Sequence, residues 1–159
     1  MQNPDENYSS RRQMIARPRV GIGSYAFRYN IGFSKFTPPY VMTLSKFLRM
    51  AVDLGLEGVQ LCENLNYTQY RTDELLDICR KFYDEGMFLE LGMRDMTYEN
   101  LSYHLDLAEI LGSDFIRVVA GTPGSFPEKD KEKLKRQLLS VFERIVPRLQ
   151  NLGIQIGLE

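Results

Sequence analysis

Four times along this chain a helical stripe of apolar residues ends at a glycine, and a short apolar run follows at once. The glycines are Gly55, Gly86, Gly112 and Gly153, separated by 31, 26 and 41 residues. Helical stripes end at glycine because only glycine enters the left-handed conformation without steric cost. Spacings of this size suit βα units joined by right-handed crossovers in a parallel sheet. The first stripe reads from Thr43 with Leu44, Phe47, Leu48, Ala51 and Leu54 on one face. The second takes Thr72 as its predicted N-cap and carries Leu75, Ile78, Cys79 and Phe82; the third follows Thr97 with Leu101, Leu105 and Ala108. The fourth runs Leu134, Leu138, Val141, Ile145, Leu149, Leu152, and Pro147 inside it predicts a kink or a fresh helix start.

The apolar runs predict strands over 58–63, 87–92, 115–121 and 154–159, preceded by a first strand from about Arg19. Five strands and four helices fit either a doubly wound open sheet or the first five strands of a (βα)₈ barrel, which typically takes about 250 residues. The chain stops at Leu158-Glu159, on the last residue of an apolar strand rather than on a polar tail. The expectation is therefore an α/β fold of parallel βα units, the N-terminal part of a TIM barrel cut after strand five. Residues 1–18 are polar and without periodicity and are expected to form a flexible arm, with the partial barrel domain over 19–159.

Composition narrows the partners. Hydrophobic residues make up 43% of the 159, enough for a real core, and 20 Lys+Arg against 21 Asp+Glu leave a formal net charge of −1. Nothing there draws the chain onto nucleic-acid phosphates or anionic lipid, so neither nucleic acid nor membrane is expected as a partner. Cys62 and Cys79 lie 17 residues apart with no CxxC or Cys/His spacing, which suggests neither a disulfide framework nor a zinc site and fits a reducing cytoplasm. No run approaches the roughly 20 apolar residues of a membrane span.

Strand alternation then sorts side chains. If the isoleucines and Leu158 of 154–159 meet the helices, Gln155, Gly157 and Glu159 face the barrel centre and Glu159 reaches the C-terminal rim, where barrel active sites form. The same logic turns Gln60, Cys62 and Asn64, Glu90 and Gly92, and Arg117 inward. Glu90 and Arg117 then stand on neighbouring strands, and a mutual salt bridge is expected because an unpaired inward charge costs several kcal/mol, roughly. The alternative is an Arg117 that reaches a substrate oxygen.

Several motifs carry less than they suggest. Gly21-Ile-Gly-Ser-Tyr-Ala fits GxGxxA, yet aromatics and Pro38-Pro39 follow where a nucleotide-binding helix must open. Its glycines instead leave room in a narrow barrel, and Tyr25 projects to the pocket mouth. Gly121-Thr-Pro-Gly-Ser lacks the Lys-Ser/Thr of a P-loop and reads as a βα turn. The stretch 128–136 mixes five cations with three anions and reads as a solvated helix face. His104 falls beside the core stripe of the third helix rather than at a strand end, so a structural histidine is expected. No Ser/His/Asp or Cys/His system assembles, which leaves carboxylate chemistry.

The succession Val20-Gly-Ile-Gly-Ser-Tyr, Leu54-Gly-Leu-Glu-Gly-Val-Gln-Leu, Phe88-Leu-Glu-Leu-Gly, Ala108-Glu-Ile-Leu-Gly, Phe115-Ile-Arg-Val-Val-Ala-Gly and Ile154-Gln-Ile-Gly-Leu-Glu resembles the xylose isomerase-like TIM barrels, especially their sugar phosphate isomerase/epimerase branch. The likeness runs over about 19–159. It implies a metal-dependent sugar or sugar-phosphate isomerase or epimerase that moves a proton through an enediolate. It also implies that Glu159 is the first ligand of a divalent metal (Mn, Mg, Co or Zn) and the acid/base group, with its fellow ligands on strands six to eight. The second strand departs from the family's usual Val-Glu-Leu in carrying Gln60. Tyr25, Phe27, Asn64 and Arg94 are the expected substrate-binding residues, placed by register. Endonuclease IV-like repair enzymes share the superfamily but draw metal-binding histidines from strands two and three, where this chain has Asn64 and Arg94. A different class stays open: a non-catalytic half-barrel that associates with another chain through its unpaired strand edges. For these 159 residues alone the expectations are inactivity, self-association and no tight metal binding, since one carboxylate falls short of a divalent site.

Overall fold

A computed structural model describes residues 17–120 and 131–159. Among them, five strands form one parallel sheet in the order β1-β2-β3-β4-β5, with β1 Gly21–Gly23, β2 Gly58–Cys62, β3 Phe88–Arg94, β4 Phe115–Val119 and β5 Gln155–Leu158. Consecutive order excludes the doubly wound alternative, in which the first strand lies inside the sheet. A short helix α1 (Arg28–Ile31) follows β1; α2 (Leu44–Asp53), α3 (Thr72–Tyr83), α4 (Tyr98–Leu111) and α5 (Lys131–Leu152) occupy the crossovers. The predicted turn at Gly121–Ser125 and most of the predicted arm lie outside the described residues. Arg17, at the arm's end, pairs with Glu57 at 2.6 Å.

The helices start and stop for local reasons. The hydroxyls of Thr43 and Thr97 accept from the N–H groups of Lys46 and Asn100, capping α2 and α4. The second helix corrects the expectation by one residue. Its N-cap is Arg71, whose N–H donates to Glu74 Oε2 at 3.1 Å, and Thr72 is its first helical residue. Leu54 is likewise not a core residue: α2 ends at Asp53, so Leu54 leaves the stripe and is 62% exposed. Helix α5 runs unbroken through Pro147, with no fresh start. Pro147 and Glu143, whose carbonyl it deprives of an N–H partner, are both exposed residues, so the helix tolerates the loss on its solvent side.

Val59, Leu61, Leu89, Leu91, Ile116 and Val118 are buried against Leu44, Phe47, Leu48, Leu75, Leu101 and Leu105 of the helices, each contributing about 1.5–3 kcal/mol of transfer free energy. Ile156 continues this face on β5, but Leu158 at the sheet edge is 52% exposed and does not join the core as expected. The opposite face is built on glycine. A Cβ on Gly58 would lie 2.3 Å from the Phe88 ring, one on Gly157 would lie 2.5 Å from Phe115, and one on Gly92 would lie 2.7 Å from Cys62 Sγ. These glycines let large neighbours lie flat across the concave side.

Register overturns the expected Glu90–Arg117 salt bridge. Arg117 is paired with Gly92 on β3 and Gly157 on β5, which leaves Glu90 two residues lower. Glu90 accepts instead from Gln60 Nε2 at 3.0 Å, its register partner on β2. Arg117 extends past Gly157 to an ion pair with Glu159.

Candidate functional site

The C-terminal ends of the strands carry the polar cluster. Beyond β1 the chain turns through a 3₁₀ segment, Ser24–Phe27, which holds Ser24 buried. Ser24 Oγ donates to Asn64 Oδ1 at 2.6 Å and accepts from the Cys62 N–H at 3.0 Å, while Asn64 Nδ2 donates back to the Ser24 carbonyl at 3.1 Å. This reciprocal clasp ties the loops after β1 and β2 together. Asn64 is thus placed at the rim as expected, with its amide engaged by Ser24.

Next to the clasp, Tyr25, Glu63 and Arg94 converge. Tyr25 Oη donates to Glu63 Oε1 at 2.5 Å and accepts from Arg94 Nε at 3.0 Å; Arg94 Nε also forms an ion pair with Glu63 and its guanidinium lies 5.2 Å over the Tyr25 ring. Desolvation, then the hydrogen bond to Glu63, raises the Tyr25 phenol above its ordinary pKa, so it remains a donor. Arg94 is raised chiefly by its hydrogen bond to Tyr25. Glu63 escaped the sequence reading because alternation after inward Cys62 assigns it to the outer face. The 3₁₀ turn Glu63–Leu65 starts at that residue and breaks the alternation. Its one sequence signal is its place directly after a strand's C-terminal end, where barrel sites gather.

A cavity of about 720 Å³ opens over this cluster, lined by Tyr25, Arg28, Asn64 and Arg94 and walled by Phe33, Phe36 and Pro38 of the loop before α2. Phe27, expected at the pocket mouth, packs edge-on against Phe47 of α2 with ring centroids 5.9 Å apart, on the core side. Glu159 stands on the inner rim in contact with Arg117. Continuing the registers Arg94↔Val119 and Val118↔Leu158 puts Arg94 and Glu159 in one layer, two strands or roughly 10 Å apart.

No group of three or more His, Cys, Asp or Glu that could hold a metal occurs among the described residues. Glu159 offers a single carboxylate, already bonded to Arg117, so these residues by themselves do not make a divalent-metal site. His104 is buried in α4, with Nδ1 at 2.8 Å from the Asn100 carbonyl and Nε2 at 3.0 Å from Tyr67 Oη. Desolvation lowers its pKa, and a neutral ring bridging a helix and a loop is structural, as its position in the stripe implied. Cys62 and Cys79 are both buried and free; burial pushes the Cys79 thiol up to about 12 and raises Cys62 as well, which leaves both unreactive.

This architecture defines a class: the described residues have the fold of the first half of a (βα)₈ TIM barrel. The chain is 25% identical over 140 residues to a 3-oxo-isoapionate decarboxylase of Pectobacterium atrosepticum, a match covering 88% of this chain and 48% of that protein. It superposes on a D-psicose 3-epimerase crystallised in the presence of D-fructose with a TM-score of 0.68 at 14% identity, over 87% of this chain and 51% of the other. The IOLI protein with a zinc atom gives a TM-score of 0.59 at 13% identity, over 89% and 51%. The chain therefore spans about half the length of these relatives. No protein-family model matches it.

Proposed function

We propose that these residues form the N-terminal half of a metal-dependent isomerase or epimerase acting on a sugar or sugar phosphate, through proton transfer at a carbon beside a carbonyl. The observation that carries the reading is Glu159, a carboxylate directly after the last strand and paired with inward Arg117, level with Arg94 across the rim of a half-barrel shaped like those of sugar epimerases. Glu159 would be the one ligand these residues offer to a divalent ion completed by ligands outside them, and such an ion, when bound, would supply Lewis acidity toward the carbonyl. Their own chemistry is narrower. Glu159, oriented by Arg117, moves a proton at the substrate carbon, while Tyr25, Arg94 and the Asn64 loop position the substrate; Phe27 contributes by holding the Tyr25 turn against α2. The free, buried cysteines fit a reducing cytoplasm.

The sequence match to a decarboxylase favours a second reading of the same site. Loss of CO₂ from a 3-oxo acid and removal of a proton beside a ketone leave the same kind of electron pair, so a shared rim serves either reaction. A ketose incubated with the complete barrel and Mn²⁺ in deuterated water should acquire deuterium at C1 or C3, the carbons beside its carbonyl, and Glu159→Gln should lower that rate by at least a hundredfold. Release of CO₂ from a 3-oxo sugar acid without exchange moves the assignment to decarboxylation; neither event overturns both readings.

A further inference from the structure

The rim cavity holds an imbalance of charge. Two arginines line it, Arg28 and Arg94, and no Asp or Glu does among the described residues. Arg94 spends Nε on Glu63 and Tyr25, and its two terminal amino groups have no acceptor among the described residues. Arg28 has its guanidinium 4.4 Å over the Phe33 ring and no side-chain acceptor at all among them. Stacking on Phe33 holds the guanidinium plane in place without consuming a single N–H. The other arginines of the inner face are not in this state: Arg117 is bonded to Glu159, and Arg19, over Phe88 at the far end of the strands, donates to the carbonyls of Glu57 and Gly86. Phe36 and Pro38 add apolar walls that thin the water around these donors and strengthen a charge-assisted bond.

We infer that this cavity receives an anionic group at one end of the substrate, a carboxylate or a phosphate ester, which Arg28 and the outer face of the Arg94 guanidinium grip together. A neutral sugar could accept hydrogen bonds from these donors through its hydroxyls but would leave both positive charges uncompensated. The inference rests on the reading of a carbohydrate-like substrate at this rim and names its class: a polyhydroxylated acid or a sugar phosphate, whose charged end lies under the Phe33 loop and whose reacting carbon reaches toward Glu159. The backbone positions of Arg94 and Glu159, two strands or roughly 10 Å apart, leave room for a carbon chain between the two side chains.

Titration of the full chain with D-gluconate, D-ribulose 5-phosphate and D-fructose, followed by calorimetry, tests this without turnover. At least one of the two anions should bind no less than tenfold more tightly than fructose, and the tighter of them identifies carboxylate or phosphate as the group. Arg28→Gln should weaken that anion about tenfold and leave fructose unchanged, with Arg28→Lys intermediate. Raising salt from about 20 mM to about 200 mM should weaken the anion alone, an arm that needs no variant. Fructose binding as tightly as either anion, no anion binding at millimolar concentration, or an Arg28→Gln protein that binds the anion unchanged would each overturn the assignment. Because no reaction is read, anion binding by a protein that fails the exchange and decarboxylation assays sinks the proposed function and leaves the cavity's assignment standing, and the converse result separates them the other way.

Discussion

On the face of the sheet that meets the helices, β2, β3 and β4 present Val59, Leu61, Leu89, Leu91, Ile116 and Val118, all buried. On the opposite face the same strands present Gln60, Cys62, Glu90, Gly92 and Arg117, in contact with one another or with the rim. One backbone thus carries two chemistries, separated by nothing more than the direction of successive Cα–Cβ bonds. The apolar face is energetically dense: every side chain removed from it leaves a void. The polar face is held by interactions between partly solvated groups, each of small net worth, and is free to vary with the chemistry it serves.

The contrast can be broken by mutation. Leu91→Ala removes a fully buried side chain from the middle strand and should cost about 2–5 kcal/mol, read as a lower denaturation midpoint in urea. A cost below about 1 kcal/mol would mean that the helix layer is loosely packed and that the two faces do not differ as described.

A subtler effect comes from the titratable ring among the helices. Burial lowers the pKa of His104 from its ordinary 6.5, so the folded protein keeps the ring neutral where the unfolded chain already binds a proton. Its contribution is fully present above about pH 6.5 and is lost as pH falls from there toward the lowered folded value. Melting temperatures measured between about pH 7.5 and about pH 5.5 should therefore drop, and His104→Gln, whatever its effect at pH 7.5, should flatten that slope. An unchanged slope would assign the acid sensitivity to other groups.

The smallest effect belongs to the concave face. Arg117→Gln removes the partner of Glu159, a carboxylate 63% exposed, and should change stability by no more than about 1 kcal/mol. The same substitution should lower turnover if Glu159 is positioned by that pair. A large loss of stability with unchanged turnover would place Arg117 with the structural residues.

Much of this was legible in the residues. The repeated glycine stops Gly55, Gly86, Gly112 and Gly153 all adopt positive φ, and the helices and strands they separate follow the predicted order. Both are consequences of short-range sterics and periodicity, which a sequence displays openly. Alternation also sorted the two faces of β2, β3 and β4 correctly, because a parity of two needs no knowledge of neighbours. Tyr25 and Arg94 were identified by the same logic as rim residues.

What the linear pattern did not contain was who meets whom. Glu90 and Arg117 are both inward, and only the stagger between β3 and β4 decides that Arg117 passes Glu90 and reaches Glu159. Glu63 is outward by parity and becomes the partner of Tyr25 and Arg94 because a 3₁₀ turn starts there. Leu54 and Leu158 match the stripes and fail to be buried, one because the helix ends before it and the other because it lies at the sheet edge. Local conformation and face follow from each residue and its nearest neighbours along the chain. Pairing across strands depends on register and on where turns release the chain, and those are set by packing between segments twenty-five or more residues apart.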